Sequence, residues 1–306
     1  MEYQPLVSII VPTYNSAPFI IETLESVRRQ TYTKIELIIA DDCSTDNTRD
    51  LCRNWINENK DVSFPCVLVE SKKNGGIVPN CNNGLFVAKG EWIKLIGGDD
   101  ILLENCIEDF VGYVRNHRGV SVVFSNLYTM NSASEVTGGF PSRAEFFTYS
   151  PEKQLSSMLY ENLLAAPAGF INKEILLKEG GFDPAYPMME DYPLWIKLLS
   201  KGYQMGHLDK IAVQYRISPS MVSYNPKKMN PVFVKSCVDF ARNIRLPMAE
   251  AQTREIRWKV RRDIALISLK QNFPFVYRLL LPVLWRAWNV FKKIKNKQGY
   301  ESRQGN

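Results

Sequence analysis

The stretch "WIKLIGGDD", Trp92–Asp100, decides the fold. A short apolar run breaks at two glycines, and two carboxylates follow at once. A run of that length bounded by turn residues reads as a buried β-strand, and Gly97 and Gly98 let the backbone turn tightly or approach a ligand. Four more runs have the same character: "LVSIIVP" (Leu6–Pro12), "IELIIA" (Ile35–Ala40), "VLVE" (Val67–Glu70) and "SVVFS" (Ser121–Ser125). Continuous apolar strands suit a parallel sheet covered on both faces. Segments of helical period lie between them, with Ile20, Leu24 and Val27 on one face, then Leu51, Trp55 and Ile56, then Ile107, Phe110, Val111 and Val114. Ser44 and Asp46 are capping candidates for the second of these helices. The alternation predicts right-handed crossovers and a doubly wound α/β layer.

Ligands in such layers bind beyond the carboxyl ends of the strands. That rule selects three loops, "PTYN" (Pro12–Asn15), "DDCS" (Asp41–Ser44) and "GGDD" (Gly97–Asp100), all opening on one edge. A carboxylate pair there can hold a divalent cation, which in turn can neutralise a diphosphate. An Asp-rich turn with a helix cap explains each pair without a ligand. "MMEDYPLW" adds a further pair, Glu190 and Asp191, ahead of a helix whose apolar face is Leu194, Leu198 and Leu199. A helix N-cap is the structural alternative for that Asp.

From Thr129 to Ser150 the pattern dissolves into Ser, Gly and Pro, the composition of a mobile loop. Beyond Asn225 only helical signals remain, so the expected division is a domain over 1–225 and a helical region over 226–306.

Composition places the 306-residue chain among soluble globular proteins, with 45% hydrophobic and 23% charged residues. Its six cysteines form no CxxC pair, which speaks against a zinc site or disulfide framework and for a reducing, cytoplasmic setting. The N-terminus lacks the pattern of a signal peptide, and no window approaches the roughly 20 apolar residues of a membrane span. The net charge of +6 is unevenly spread: residues 251–306 carry 13 Lys and Arg against 3 Asp and Glu, whereas 1–250 carry a net −4. Residues 273–297 combine Phe275, Leu279, Val283, Trp288 and Phe291 with Arg278, Arg286, Lys292, Lys293 and Lys295. That pattern suits a helix lying peripherally on an anionic membrane. Nucleic-acid binding has no supporting motif.

Together, "VSIIVPTYN", "IELIIADDCSTDNT", "NGGIVPNCNNGLFVAKGEWIKLIGGDD", "GGFD" and "MEDYPLWIKLLSKGY" resemble, in order and spacing, family 2 glycosyltransferases over about Pro5 to Ser223. The resemblance implies an inverting enzyme of GT-A fold: a Rossmann-like, mostly parallel α/β sheet with flanking helices, here followed by a C-terminal helical extension. It implies a nucleotide-sugar donor, most often UDP-linked, and a glycan or lipid-linked oligosaccharide acceptor in surface polysaccharide or lipopolysaccharide synthesis. Pro12, Thr13, Tyr14 and Asn15 match the loop lining the nucleotide pocket, and Asp42, ahead of Asp41, the residue that binds the base. Asn74 and Gly76 match the loop beside the nucleotide, and Asn80 the helix behind it. Asp99 and Asp100 match the metal-binding region for Mn²⁺ or Mg²⁺, Asp99 also facing the donor ribose. Asp191 matches the catalytic base, assisted by Glu190. The chain departs from the family at Gly97, where a carboxylate is more common, and at Ser218, where a His is expected. Arg216 is then the remaining cation for the leaving diphosphate. A nucleotidyltransferase would need a basic Gly-rich signature after the first strand, which "PTYNSAP" lacks; a non-catalytic sugar-nucleotide or glycan-binding scaffold of the same fold is the other alternative.

Overall fold

A computed structural model describes residues 3–140, 143–217 and 230–272. β1 (Val7–Thr13) and β2 (Ile35–Asp41) are buried at all seven positions, which is why they read as largely apolar runs. With β3 (Cys66–Glu70) and β4 (Trp92–Leu95) they pair in parallel, in the order β3-β2-β1-β4. α1 (Ile20–Arg28), α2 (Thr48–Glu58) and α3 (Ile77–Val87) make the crossovers. α3 lies tight on the sheet: a methyl group at Gly84 would fall 2.5 Å from Ile10 Cγ2. β5 (Ile101–Leu102), α4 (Cys106–Asn116) and β6 (Val122–Met130) follow.

Beyond β4 the sheet becomes mixed. β7 (Val136–Phe140), α5 (Ala144–Phe147) and α6 (Pro151–Tyr160) lead into a 3-10 turn, Ala166–Ala168, and then β8 (Gly169–Asn172). β8 inserts antiparallel between β4 and β6. α7 (Lys173–Lys178) and α8 (Tyr192–Ser200) precede β9 (Met205–Arg216), which runs parallel to β6 and antiparallel to β5. The buried Lys94 makes sense in this context. Its Nζ donates to the Pro167 and Gly169 carbonyls, tying β4 to the turn before β8, and sits 5.0 Å from the Phe110 ring centroid. Burial pushes its pKa down.

Three expectations change. The segment expected to be a mobile loop over 129–150 contains the turn and second strand of the β6–β7 hairpin and the short helix α5; its Gly138 and Gly139 pair with Thr129 and Tyr128 on a strand whose polar composition reflects solvent exposure. At α2 the cap position falls to Asn47, with no side-chain cap bond; Asp46, just before it, accepts from the Thr48 amide at 3.0 Å, while the Ser44 hydroxyl turns to Asp41. The chain divides into compact units after Phe240 rather than after 225, because α9 (Pro231–Phe240) packs Phe240 against Tyr186 and Tyr192, ring centroids 5.3 and 5.0 Å away. In the second unit, α10 (Leu246–Glu250) and α11 (Arg254–Asn272) are helical, and Asp263 accepts from Lys259 at 2.6 Å and Arg245 at 3.4 Å. No helix among the described residues is long and apolar enough to cross a membrane. Residues 273–297 and Ser218 lie outside the described residues.

Candidate active site

β1 connects toward β2 on one side and is flanked by β4 on the other, so strand order reverses between β1 and β4. A crevice opens at the carboxyl ends of such a switch point. The loop after β1 is stitched to the loop after β2. Asn15, at φ +52°, accepts through Oδ1 from the Thr45 amide at 2.8 Å and donates its own amide to Ser44 Oγ at 2.9 Å. Asn tolerates that left-handed backbone better than most residues. Pro12 and Thr13 are buried, whereas Tyr14 is 47% exposed, an aromatic face open to a ligand.

The Asp41–Asp42 pair is filled by the protein itself. Asp41 accepts from the Ser44 amide and hydroxyl at 2.8 and 2.5 Å, with Arg49 3.9 Å away. Asp42 accepts from the Gly75 and Gly76 amides at 2.8 and 2.7 Å. Burial nevertheless pushes Asp42 above the usual carboxylate range, against the pull of those amides. Asn74 is exposed beside that cradle. Gly76, at φ +93°, could not carry a side chain without meeting the Pro187 carbonyl at 2.8 Å. Through this contact and the Val78 amide, which donates to Pro187 O at 3.1 Å, the loop meets the segment leading to Glu190. Asn80 donates to the Ala40 carbonyl at 2.7 Å, while its buried Oδ1 has no partner among the described residues.

Gly97 is the centre of the third pair. A methyl group there would sit 2.8 Å from Asp99 Oδ1 and 3.2 Å from Asp100 Oδ2, so the two carboxylates converge over the missing side chain. Asp100 accepts from the Arg216 amide at 2.8 Å, and Gly98 donates to the Pro12 carbonyl at 3.1 Å. Burial pushes Asp99 up, against the attraction of Arg216; burial and then the charge of Asp99 push Asp100 well up. Two facing, protein-poor carboxylates fit a divalent cation that takes its other oxygens from a diphosphate and water. Among the described residues no group of three or more His, Cys, Asp or Glu surrounds them, so the protein share of any such site is these two side chains.

Asp191 is the N-cap of α8, as the cap alternative required, yet only Oδ1 is used there, by the Tyr192 amide. Its Oδ2 accepts from Asn162 at 3.1 Å. Burial pushes Asp191 up, opposed by the Tyr192 amide and Asn162. Burial, then the charge of Asp191, pushes Glu190 up to about 8. The two acidic pairs are joined through Tyr215 on β9. In the β5–β9 register, Ile101 faces Gln214, which sets Tyr215 beside Asp100. After burial, the charges of Asp100, Asp99, Asp191 and Glu190 in turn raise its hydroxyl pKa.

Arg216 has a different use from the one expected. Its guanidinium donates to Glu22 at 2.7 Å, the Asn131 carbonyl at 3.0 Å, Ser134 at 3.0 Å and the Asp99 carbonyl at 2.7 Å, and lies 4.3 Å from the Phe19 ring centroid. A fully buried guanidinium with four of its five N–H donors engaged braces the GGDD loop. Tyr215 and Asn162 are the residues that sequence reasoning missed; neither belongs to an acidic or glycine motif, and only their spatial neighbours mark them.

The fold is that of a GT-A glycosyltransferase. The profile of "Glycosyl transferase family 2" matches residues 8–166, more than half of the chain, and the protein belongs to that family. It is 33% identical over 226 residues to the UDP-Glc:alpha-D-GlcNAc-diphosphoundecaprenol beta-1,3-glucosyltransferase WfaP of Escherichia coli, covering 73% of this chain and 82% of that one. Its fold is similar to S. aureus TarS 1-349 in complex with UDP-GlcNAc, with TM-score 0.62, 20% identity and coverage of 87% and 74%. It is also similar to the mannosyltransferase PcManGT of Pyrobaculum calidifontis in complex with GDP-Man and Mn2+, with TM-score 0.56, 18% identity and coverage of 96% and 83%.

Proposed function

We propose that the protein is a metal-dependent, inverting transferase that moves one sugar from a UDP-sugar to a lipid-linked glycan acceptor in surface polysaccharide synthesis. The observation that supports this reading is the convergence of the Asp99 and Asp100 carboxylates over Gly97 at the carboxyl end of β4, with the charges of both acidic pairs reaching the buried Tyr215 hydroxyl. The likeness to WfaP, whose name specifies a UDP-sugar donor and a diphosphoundecaprenol-linked acceptor, supports the choice of substrates.

Asp191 Oδ2 takes the proton of the acceptor hydroxyl as that oxygen attacks the anomeric carbon from the face opposite the diphosphate. Attack on an α-linked donor from that side yields a β-linkage. Asn162 and the Tyr192 amide hold the carboxylate in one orientation. Burial and the charge of Asp191 favour the protonated form of Glu190, which suits Asp191 to be the acceptor of the pair. Asp99 and Asp100 would hold Mn²⁺ or Mg²⁺, which when bound supplies positive charge against the departing diphosphate. Tyr14 offers its ring to the base, while Asp42 and the Gly75–Gly76 turn form the wall beside it. The basic segment 273–297 brings the enzyme to the cytoplasmic face of an anionic membrane, where a lipid-linked acceptor resides.

A panel of nucleotide sugars, scored for released UDP with and without Mn²⁺, tests the reading. Release of UDP from one donor, dependent on Mn²⁺ and on an isoprenoid-diphosphate acceptor, is the expected result. Pyrophosphate as product would instead mean nucleotidyl transfer, and donor binding without turnover would mean a scaffold.

A further inference from the structure

Glu22 belongs to none of the acidic loops. It stands on α1, yet it and its neighbour Thr23 both bear on the GGDD loop. Thr23 is fully buried, and its hydroxyl donates to the Asp100 carbonyl at 2.7 Å. Glu22 acts at one remove. Its Oε2 accepts from Arg216 Nη2 at 2.7 Å and from the Ser134 hydroxyl at 2.7 Å. Arg216 Nη1 donates to Ser134 Oγ at 3.0 Å, which closes a ring of contacts between α1, the end of β9 and the β6–β7 turn.

Arg216 serves the Asp99–Asp100 pair in two opposed ways. Its amide donates to Asp100 Oδ1 and its Nε to the Asp99 carbonyl, so backbone and stem hold the loop in place. Its positive charge, in contrast, works against a metal. The side chain is fully buried, where solvent screens little, and its attraction reaches both Asp99 and Asp100. A guanidinium turned onto those two carboxylates would occupy them and repel a divalent cation. Among the described residues, however, its close ion pair is with Glu22, at 2.7 Å, and with neither Asp99 nor Asp100. The Phe19 ring, 4.3 Å from the guanidinium, covers one of its faces and helps to fix that direction. The negative charge of Glu22 offsets that of Arg216. What is left at the loop is the charge of two ionised carboxylates, which matches one divalent cation.

We propose that Glu22 is a positioning residue for the metal pair: by taking the charge of Arg216 it keeps that cation turned away from Asp99 and Asp100 and leaves them open to Mn²⁺ or Mg²⁺. The inference rests on the metal-dependent reading above, and its content is charge rather than shape. Mn²⁺ is titrated into full-length, metal-free wild type, Glu22→Gln, Glu22→Asp and Ser134→Ala, alone and with UDP. Free Mn²⁺ is read by electron paramagnetic resonance, well below each melting temperature. Glu22→Gln keeps the length of the side chain and an acceptor for Arg216 but loses the charge. Glu22→Asp keeps the charge on a shorter stem, and Ser134→Ala removes one contact of the ring and no charge. The expected result is Mn²⁺ affinity about tenfold weaker in Glu22→Gln and within about threefold of wild type in the other two. Unchanged affinity in folded Glu22→Gln overturns the inference. So does a loss in Glu22→Asp or Ser134→Ala as large as in Glu22→Gln, since the role would then follow shape. Should Glu22→Gln fail to fold, Glu22→Ser, which lets water reach the guanidinium, is titrated in its place on the same criteria. Wild type that binds no Mn²⁺, alone or with UDP, sinks the metal-dependent reading and this inference together; wild-type binding that loss of the Glu22 charge leaves intact sinks the inference alone.

Discussion

Asp41–Asp42 and Asp99–Asp100 share one sequence pattern, two carboxylates ending a buried parallel strand, yet the fold supplies them unequally. The first pair receives four donors from its own neighbourhood: the Ser44 amide and hydroxyl, and the Gly75 and Gly76 amides. The second has the Arg216 amide on Asp100, with Arg216 nearby, and converges over an empty Cβ position at Gly97. The first pair therefore shapes the loops at Ser44 and Gly75–Gly76; the second remains short of positive charge. Glu190–Asp191 lies between these cases, with Asp191 oriented by two donors and Glu190 pushed up to about 8. What separates a structural carboxylate from a chemical one here is its supply of donors, not its neighbours in sequence.

The comparison breaks most visibly in catalysis. Asp191→Asn should lower transfer by about 10³-fold while UDP-sugar affinity, measured calorimetrically, stays within error. An equal loss of donor affinity would place Asp191 in the donor pocket instead. Next, Mn²⁺ at a hundredfold excess over its Kd should stabilise the wild type by about 2.7 kcal/mol in thermal melts, and Asp99→Asn or Asp100→Asn should abolish that gain. A metal-induced shift that survives either substitution would make the second pair structural like the first. Asp42→Ala, in contrast, should cost about 2 kcal/mol of stability without metal, because two loop amides lose their acceptor. Denaturant unfolding of Asp42→Ala beside Asp100→Asn reads this difference directly.

Smaller effects sharpen the intermediate pair. The folded pKa of Glu190 lies above its unfolded value, so the native state binds the extra proton between about 4.5 and about 8. Stability of the metal-free protein should fall as pH rises through that window, and Glu190→Gln should flatten the fall in melting temperature. A steeper slope in the variant would contradict the assignment. Asn162→Ala removes one hydrogen bond to Asp191 and should slow transfer roughly tenfold, with the acid limb of the kcat profile moving to higher pH.

Much of this was legible before any coordinates. The runs at β1, β2 and β4 are mostly apolar because both sheet faces are covered, and their loops announced the edge of the site. The hairpin over Thr129–Phe140 was hidden, since an exposed strand with Gly138 and Gly139 has the composition of a loop. The bracing contacts of Arg216 were hidden for a related reason: a cation near an acidic motif reads as a ligand group, and only the fold sets Glu22, Asn131 and Ser134 around it. Tyr215 and Asn162 carried no signal at all, because their roles depend on neighbours more than twenty residues away.

The sequence by itself determined the strand–helix alternation, the family and the order of the acidic loops, since periodicity and short turns are local properties of a chain. Only the tertiary structure decided which carboxylates are satisfied, where β8 inserts, and that the charges of both acidic pairs bear on Tyr215. Burial and donor supply are properties of space, set by residues that meet across the fold, and they govern whether a charge props up a loop or waits for a substrate.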